Sequence, residues 1–337
     1  MKTFYRFLCY RLKNSVMKMV ILGVMCVLID MIVLPECVDS FEPEANQSAL
    51  YMLATLLCIL SSLIPVLELA GLKNRRNLDT LYFFPIGRKK MALAYYVSGF
   101  VQVVAIYTVT FMVHFLYLLF KTDYFALGYM IPYYFLSLVF AFVIYSVYAF
   151  IFTQANTVAD GIVMCVMWVF LLAAVGGTWH VMQNSNQSAN WVGWGIMYAP
   201  MNNLTVVYQD LVEINRPKQW DKSVAAIMEY LHLFVVWVIL GCAAVAGYVV
   251  TFMNKGAETA GEISNSWFGY KMLLPIYGYC FLCLFGGAYK YIAIIPIAIY
   301  AVLMVTGYII YRRGFKLKLT DILTIVGGIF PILLVMT

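Results

Sequence analysis

Few side chains in this sequence are of types that do chemistry, and their spacing fits no known catalytic or metal-binding pattern. The three histidines, His114, His180 and His232, stand far apart in the chain. They read as separate polar tips toward the outer side of a membrane, not as one ligand set. Cys280-Phe-Leu-Cys283 spells C-x-x-C, but it lies in an apolar run without the strand and helix of a redox motif. There is no G-x-x-x-x-G-K-[ST] phosphate loop, no H-E-x-x-H zinc pair and no G-x-S-x-G elbow. No catalytic residue and no metal ligand is therefore assigned. The acidic residues within apolar runs, Asp30, Glu68 and Glu229, all fall toward the ends of those runs, and no opposite charge is placed to pair with them within one run. An ion relay needs ionisable groups nearer the bilayer centre, so ion-coupled transport is not expected.

The elements that would position any site are set by composition. Of 337 residues, 64% are hydrophobic and 11% charged, against about 25% charged in a soluble chain. The apolar residues come in runs matching the about 20 residues a helix needs to cross a hydrocarbon core. These are Val16–Leu34, Ala49–Leu69, Met91–Phe120, Gly128–Phe152, Gly161–Trp179, Ile227–Met253, Leu273–Ala288 and Tyr291–Tyr311. A last run, Ile322–Met336, is short for a full crossing. None alternates with period two, so the expected class is all-α and polytopic. The net charge of +6 comes from basic residues beside these runs. That placement marks topology and lipid-headgroup contact, not nucleic-acid binding.

Basic residues also set the orientation. With the amino terminus inside and the runs alternating sides, 17 of the 22 Lys and Arg residues are cytoplasmic. The first outer loop carries Glu36, Asp39, Glu42 and Glu44 and no basic residue. The chain is thus expected to be a multi-pass protein of a plasma or inner membrane with a cytoplasmic amino terminus. Ahead of the first run, Phe4, Leu8 and Leu12 at i, i+4 and i+8 predict an amphipathic helix over Met1–Ser15, lying in the inner headgroup region. The segment His180–Ala226 holds Trp191, Trp194, Tyr198, Pro200 and Asn203. Its aromatic anchors, glycines and proline predict short interfacial or re-entrant helices.

Between the second and third runs, the inner segment carries more than positive-inside charge. Leu78, Leu81 and Tyr82 stand at i, i+3 and i+4, an apolar face with Asp79 beside it. Pro85 stops the helix before the cluster Arg88, Lys89 and Lys90. A short amphipathic helix held at the cytoplasmic surface suits a partner protein.

The segment Arg75–Lys90 resembles the region between the second and third spans of type 2 ABC-exporter permeases. The amphipathic helix before the first span, the outer segment before the sixth, and the turn Lys255-Gly-Ala-Glu258-Thr-Ala-Gly261-Glu262 follow in the same order. The resemblance covers about residues 1–265. It implies a six-span core over 1–253, with two or three additional spans over 254–337. It further implies a bacterial-type transport subunit, more an exporter than an importer, with no cofactor of its own. ATP and Mg would be bound by a separate ATPase subunit. Arg75, Arg76, Leu78, Asp79, Leu81, Tyr82, Pro85 and Arg88 would contact that ATPase, with Glu258 and Glu262 as a second inner contact. Trp194, Pro200 and Asn203 would belong to an outer gate, and a second permease subunit, identical or not, would complete the transporter. The alternatives are a secondary transporter, set against the missing midplane charges, and an integral membrane lipid-modifying enzyme, set against the lack of a His, Asp and Glu cluster.

The orientation is directly testable. In a cysteine-free background, Glu42→Cys is expected to react with a membrane-impermeant maleimide in intact cells, and Asn77→Cys only after permeabilisation. The opposite pattern would invert the topology.

Overall fold

The structure, a computed structural model, describes residues 2–37, 45–121, 127–183, 220–262, 264, 266–288 and 294–336. Within them the chain forms ten α-helices and no strand. They are α1 (Lys2–Cys37), α2 (Ala45–Leu69), α3 (Arg75–Tyr82), α4 (Arg88–Lys121), α5 (Leu127–Gln154), α6 (Val158–Gln183), α7 (Trp220–Asn254), α8 (Met272–Ala288), α9 (Ile294–Arg312) and α10 (Leu319–Met336). Six of them, α1, α2, α4, α5, α7 and α9, carry a described stretch long and apolar enough to cross a membrane. The protein is all-α with the character of a multi-pass membrane protein.

The chain divides into two compact units. One unit comprises Met1–Thr153 and Pro200–Glu258; the other comprises Gln154–Ala199 and Thr259–Thr337. The fifth run of the sequence, as α6, therefore groups with the carboxyl-terminal helices rather than with the first four runs and the sixth.

In the first unit α1, α2 and α7 pack on α4. The amino-terminal segment does not turn to lie flat, as its amphipathic pattern predicted. It continues into the first span as one helix of 36 residues, about 54 Å at 1.5 Å per residue and well beyond a hydrocarbon core of about 30 Å. No glycine precedes Gly23 and no proline precedes Pro35, so nothing breaks the backbone ladder where the membrane would begin. Only a narrow stripe of α1 is buried, through Phe7, Ser15, Cys26, Asp30 and Leu34. Val20, Val24 and Leu28 on the rest of the helix are exposed, as suits contact with lipid.

In the second unit α6, α9 and α10 pack on α8. Its core joins Leu282 of α8, Tyr300, Met304 and Tyr308 of α9, and Ile325 of α10. Arg312 closes α9 onto the start of α10 with a two-pronged bond to Asp321, at 2.5 and 2.7 Å. The Asp321 carboxylate also accepts from the Lys318 backbone N–H at 3.0 Å, capping the helix whose amino-terminal dipole favours a negative charge.

One glycine in the first unit is dictated by close approach. A Cβ on Gly99 of α4 would fall 2.1 Å from the Tyr145 hydroxyl and 3.3 Å from Cγ of Glu68. Tyr145 cannot retreat, because it is fully buried and donates to the Tyr96 carbonyl at 3.0 Å. Gly99→Ala is expected to destabilise the protein by about 1–3 kcal/mol through overpacking. Gly23→Ala on α1, where nothing lies within 4 Å, should be neutral or gain up to about 1 kcal/mol from helix propensity. Thermal unfolding of the detergent-solubilised variants checks the contrast.

Candidate functional site

The most elaborate polar constellation surrounds Glu68, near the end of α2 on the side where the basic residues gather. Its side chain is 1% exposed. An unpaired carboxylate at such depth would cost several kcal/mol, and the helices supply four donors. Arg11 binds Oε2 and Lys18 binds Oε1, both as ion pairs. Gln102 of α4 donates to Oε1 at 3.0 Å, and the Ser15 hydroxyl donates to it at 3.3 Å. The Arg11 guanidinium also stacks 3.7 Å over the Tyr95 ring. Glu68 thereby ties α1 to α2 and α4. Within its own run Glu68 has no opposite charge, because the cations come from another helix. A signal was present, since Arg11, Ser15 and Lys18 at i, i+4 and i+7 share one face.

Farther along α1 and α4 stands a second buried pair. Asp30 Oδ1 and His114 Nδ1 are 2.9 Å apart, and both side chains are fully buried. Asp30 Oδ2 and His114 Nε2 have no hydrogen-bond partner among the described residues. His114 is thus not a polar tip at an interface, as its position in the run suggested, but one half of a pair inside the helix packing. Lys18 and Asp30 are twelve residues apart, as are Gln102 and His114. The two helices therefore run parallel and in step over about 18 Å.

At the basic end of the first unit, Lys73, Lys255 and Arg88 close helix termini. Lys73 donates to the Phe152 carbonyl at 2.8 Å and Lys255 to the Thr153 carbonyl at 2.6 Å, both at the end of α5. Arg88 reaches the Met253 carbonyl of α7 at 3.2 Å. Each places positive charge against the negative end of a helix dipole. Burial lowers the Lys255 ammonium to about 8, so it keeps most of its charge at neutral pH.

The inner segment after α2 forms a short 3-10 turn, Ala70–Lys73, and then α3. Asn74 caps α3, accepting from the Arg76 N–H at 3.1 Å. Arg75 donates to the Glu258 carbonyl at 3.0 Å, joining α3 to the turn after α7. The expected apolar face divides. Leu78 is buried within this chain and Leu81 is partly covered. The side chains of Asp79 and Tyr82 lie outside the described residues. The apolar surface left open instead follows α3: Phe83 is 87% exposed and Phe84 is half exposed, its ring 6.1 Å from that of Phe7 on α1. Arg75, Arg76, Pro85 and Arg88 are exposed as well. Neither phenylalanine belongs to the predicted apolar face of Leu78, Leu81 and Tyr82, and both lie beyond the end of α3.

Glu258 and Glu262 are both exposed. Trp194, Pro200 and Asn203 lie outside the described residues, as do the side chains of His180 and His232. Cys280 and Cys283 are free thiols on α8, and Cys280 accepts a long contact from the Thr178 hydroxyl at 3.9 Å. Among the described residues no three His, Cys, Asp or Glu side chains converge as a metal site would require.

The Glu68 constellation makes a sharp prediction. Glu68→Gln strands Arg11 and Lys18 and should cost about 3–5 kcal/mol, seen as a large fall in melting temperature. Adding Arg11→Met and Lys18→Met to that variant should restore most of the loss, since the stranded charges are then gone. An unchanged melting temperature in Glu68→Gln would show that the cluster holds nothing together. No protein-family model matches this chain, and no curated protein matches it at a significant level.

Proposed function

We propose that this chain is the membrane subunit of an ATP-driven transporter, more an exporter than an importer, energised by a separate ATPase that docks at α3. The observation that carries the reading is the aromatic step after α3. Phe83 stands 87% exposed on the side crowded with arginines. It is joined by backbone to a capped helix and, through Arg75, to the turn after α7. An exposed large aromatic on a segment that also carries exposed arginines has the composition of a protein-binding hot spot.

A push on this step has somewhere to go. Phe84 abuts Phe7 of α1, and Phe7 lies 6.3 Å from Tyr95 of α4. Tyr95 in turn lies 6.2 Å from Phe252 of α7. Close-packed aromatic groups transmit displacement as rigid bodies rather than absorbing it. The missing phosphate loop agrees with ATP hydrolysis on another polypeptide. A second permease subunit is part of the same proposal. One observation favours the rival secondary transporter: the buried Asp30–His114 pair, since ionisable groups inside a membrane commonly serve ion pathways.

The test is co-purification from the native host. Phe83→Ala with Leu81→Ala should weaken retention of an ATPase about 30-fold, the equivalent of losing about 2 kcal/mol of hot-spot contact. Leu78→Ala, which empties a site inside this chain, should lower thermal stability while folded protein still retains the partner. The purified chain alone should not hydrolyse ATP. Unchanged ATPase recovery with the Phe83 and Leu81 variant, or ATP hydrolysis by the chain alone, would overturn the reading.

A further inference from the structure

We propose that the turn between α9 and α10 binds the headgroup of an anionic phospholipid, with an acyl chain of that lipid lying along the start of α10. The proposal does not depend on what energises transport. It starts from the charges at the end of α9, a helix apolar enough to cross a membrane. The sequence Arg312-Arg313-Gly314-Phe315-Lys316-Leu317-Lys318 carries four cations. The two arginines are engaged within their own unit: Arg312 binds Asp321 of α10, and Arg313 reaches Asp160 of α6 at 3.1 Å. The two lysines are not. Both are exposed, and neither ammonium has a hydrogen-bond or ion-pair partner among the described residues.

The turn that presents them is braced. Arg313 takes the left-handed conformation, at φ 52°. The N–H groups of Arg313 and Gly314 return to the carbonyls of Ile310 and Ile309, each at 3.2 Å. This is a Schellman closure, in which glycine is the usual residue at the left-handed position. Arginine there gives a guanidinium that ties the turn to α6. Leu317 packs on the unit's core, which holds Tyr300, Met304 and Tyr308. Phe315 is left 89% exposed. A turn fixed in this way loses little freedom when it binds. Beyond it, Leu319, Leu323 and Val326 at i, i+4 and i+7 form an exposed apolar stripe on α10. Two free positive charges at the head of an apolar stripe match the two parts of an anionic lipid.

The residue types favour lipid over a protein partner. Lysine is depleted from protein–protein contacts, whereas its long apolar stem lets the ammonium reach phosphates from an apolar surface. Exposed Phe315 between these cations suits the boundary of headgroups and acyl chains. The neighbouring segment carries a second marker of that boundary. Tyr270 packs 5.4 Å from Tyr311 at the end of α9, and Trp267 of the same short helix is 70% exposed. A zwitterionic headgroup brings its own cation beside its phosphate, so it offers the lysines no net charge to neutralise. An anionic headgroup does.

Fluorescence quenching by labelled lipids tests the proposal on the full chain. Thr320 is exposed on the first turn of α10. Thr320→Cys in an otherwise cysteine-free chain takes a bimane label and is reconstituted into phosphatidylcholine vesicles. Nitroxide-labelled phosphatidylglycerol is then compared with nitroxide-labelled phosphatidylcholine as quencher. Two lysines at about fivefold each predict a preference of about 25-fold for the anionic lipid. Lys316→Gln with Lys318→Gln should remove most of that preference. Raising salt to about 1 M, where the Debye length is about 3 Å, should weaken it in the parent. Millimolar glycerol 1-phosphate, which carries the head charge without acyl chains, should leave the quenching in place. Equal quenching by the two lipids, a preference that survives the double glutamine change, or relief by glycerol 1-phosphate would each overturn the proposal. Should the labelled chain fail to fold, native mass spectrometry reads the same ratio. It would compare the unmodified parent with the double glutamine variant, the two lipids competing.

Discussion

The first unit depends on a polar seam between α1 and α4. Helix α1 buries only one stripe, and that stripe carries Arg11, Ser15, Lys18 and Asp30 rather than an unbroken row of apolar residues. In a membrane, apolar side chains gain little by leaving lipid for protein, so they specify position weakly. Charged and hydrogen-bonding groups behave oppositely, because each is costly until it finds its partner. Glu68 finds its partners only when α1, α2 and α4 sit at one depth and one rotation. The twelve-residue step to Asp30 and His114 repeats that demand farther along the same two helices. Gly99 belongs to the same constraint, since its missing side chain lets Tyr145 and Glu68 close onto α4.

The basic end of the unit follows a related logic. Carbonyls at the ends of α5 and α7 are met by Lys73, Lys255 and Arg88. The basic residues that orient a chain in a membrane can thus also terminate its helices and fasten neighbouring ones. Helix α3 is attached to this framework through Arg75 and through its own cap at Asn74. A mechanical input at Phe83 would act on a braced element rather than on a free loop.

Much of the architecture was legible in the sequence, because a run of apolar residues long enough for a bilayer has few alternatives to a helix. The all-α class, the helices and the short helix at Arg75–Tyr82 followed from run lengths, periodicity and Pro85. What periodicity cannot convey is which helices touch. Glu68 and Asp30 looked unpaired because their partners lie in α1 and α4, separated from them by 34 to 84 residues. The amino-terminal segment looked like a surface helix because its wheel is amphipathic, yet the same polar face serves a buried partner when the helix runs on unbroken. The grouping of α6 with α8, α9 and α10 had no sequence signal, since a span's neighbours are chosen by side-chain fit. Phe83 carries no such periodic signal, since it lies one residue beyond the end of α3.

These features support one proposed scheme, in which α1 and α4 form a polar-locked pair and α3 with its aromatic step would act as a lever. The central claim is that a separate ATPase works the lever. Site-specific cross-linking measures this most directly: a photoreactive maleimide on Phe83→Cys, in an otherwise cysteine-free chain, activated in native membranes, with the adduct identified by mass spectrometry. The account predicts one dominant adduct, a polypeptide carrying a phosphate loop. Adducts confined to lipid, or to no polypeptide of that kind, would contradict it.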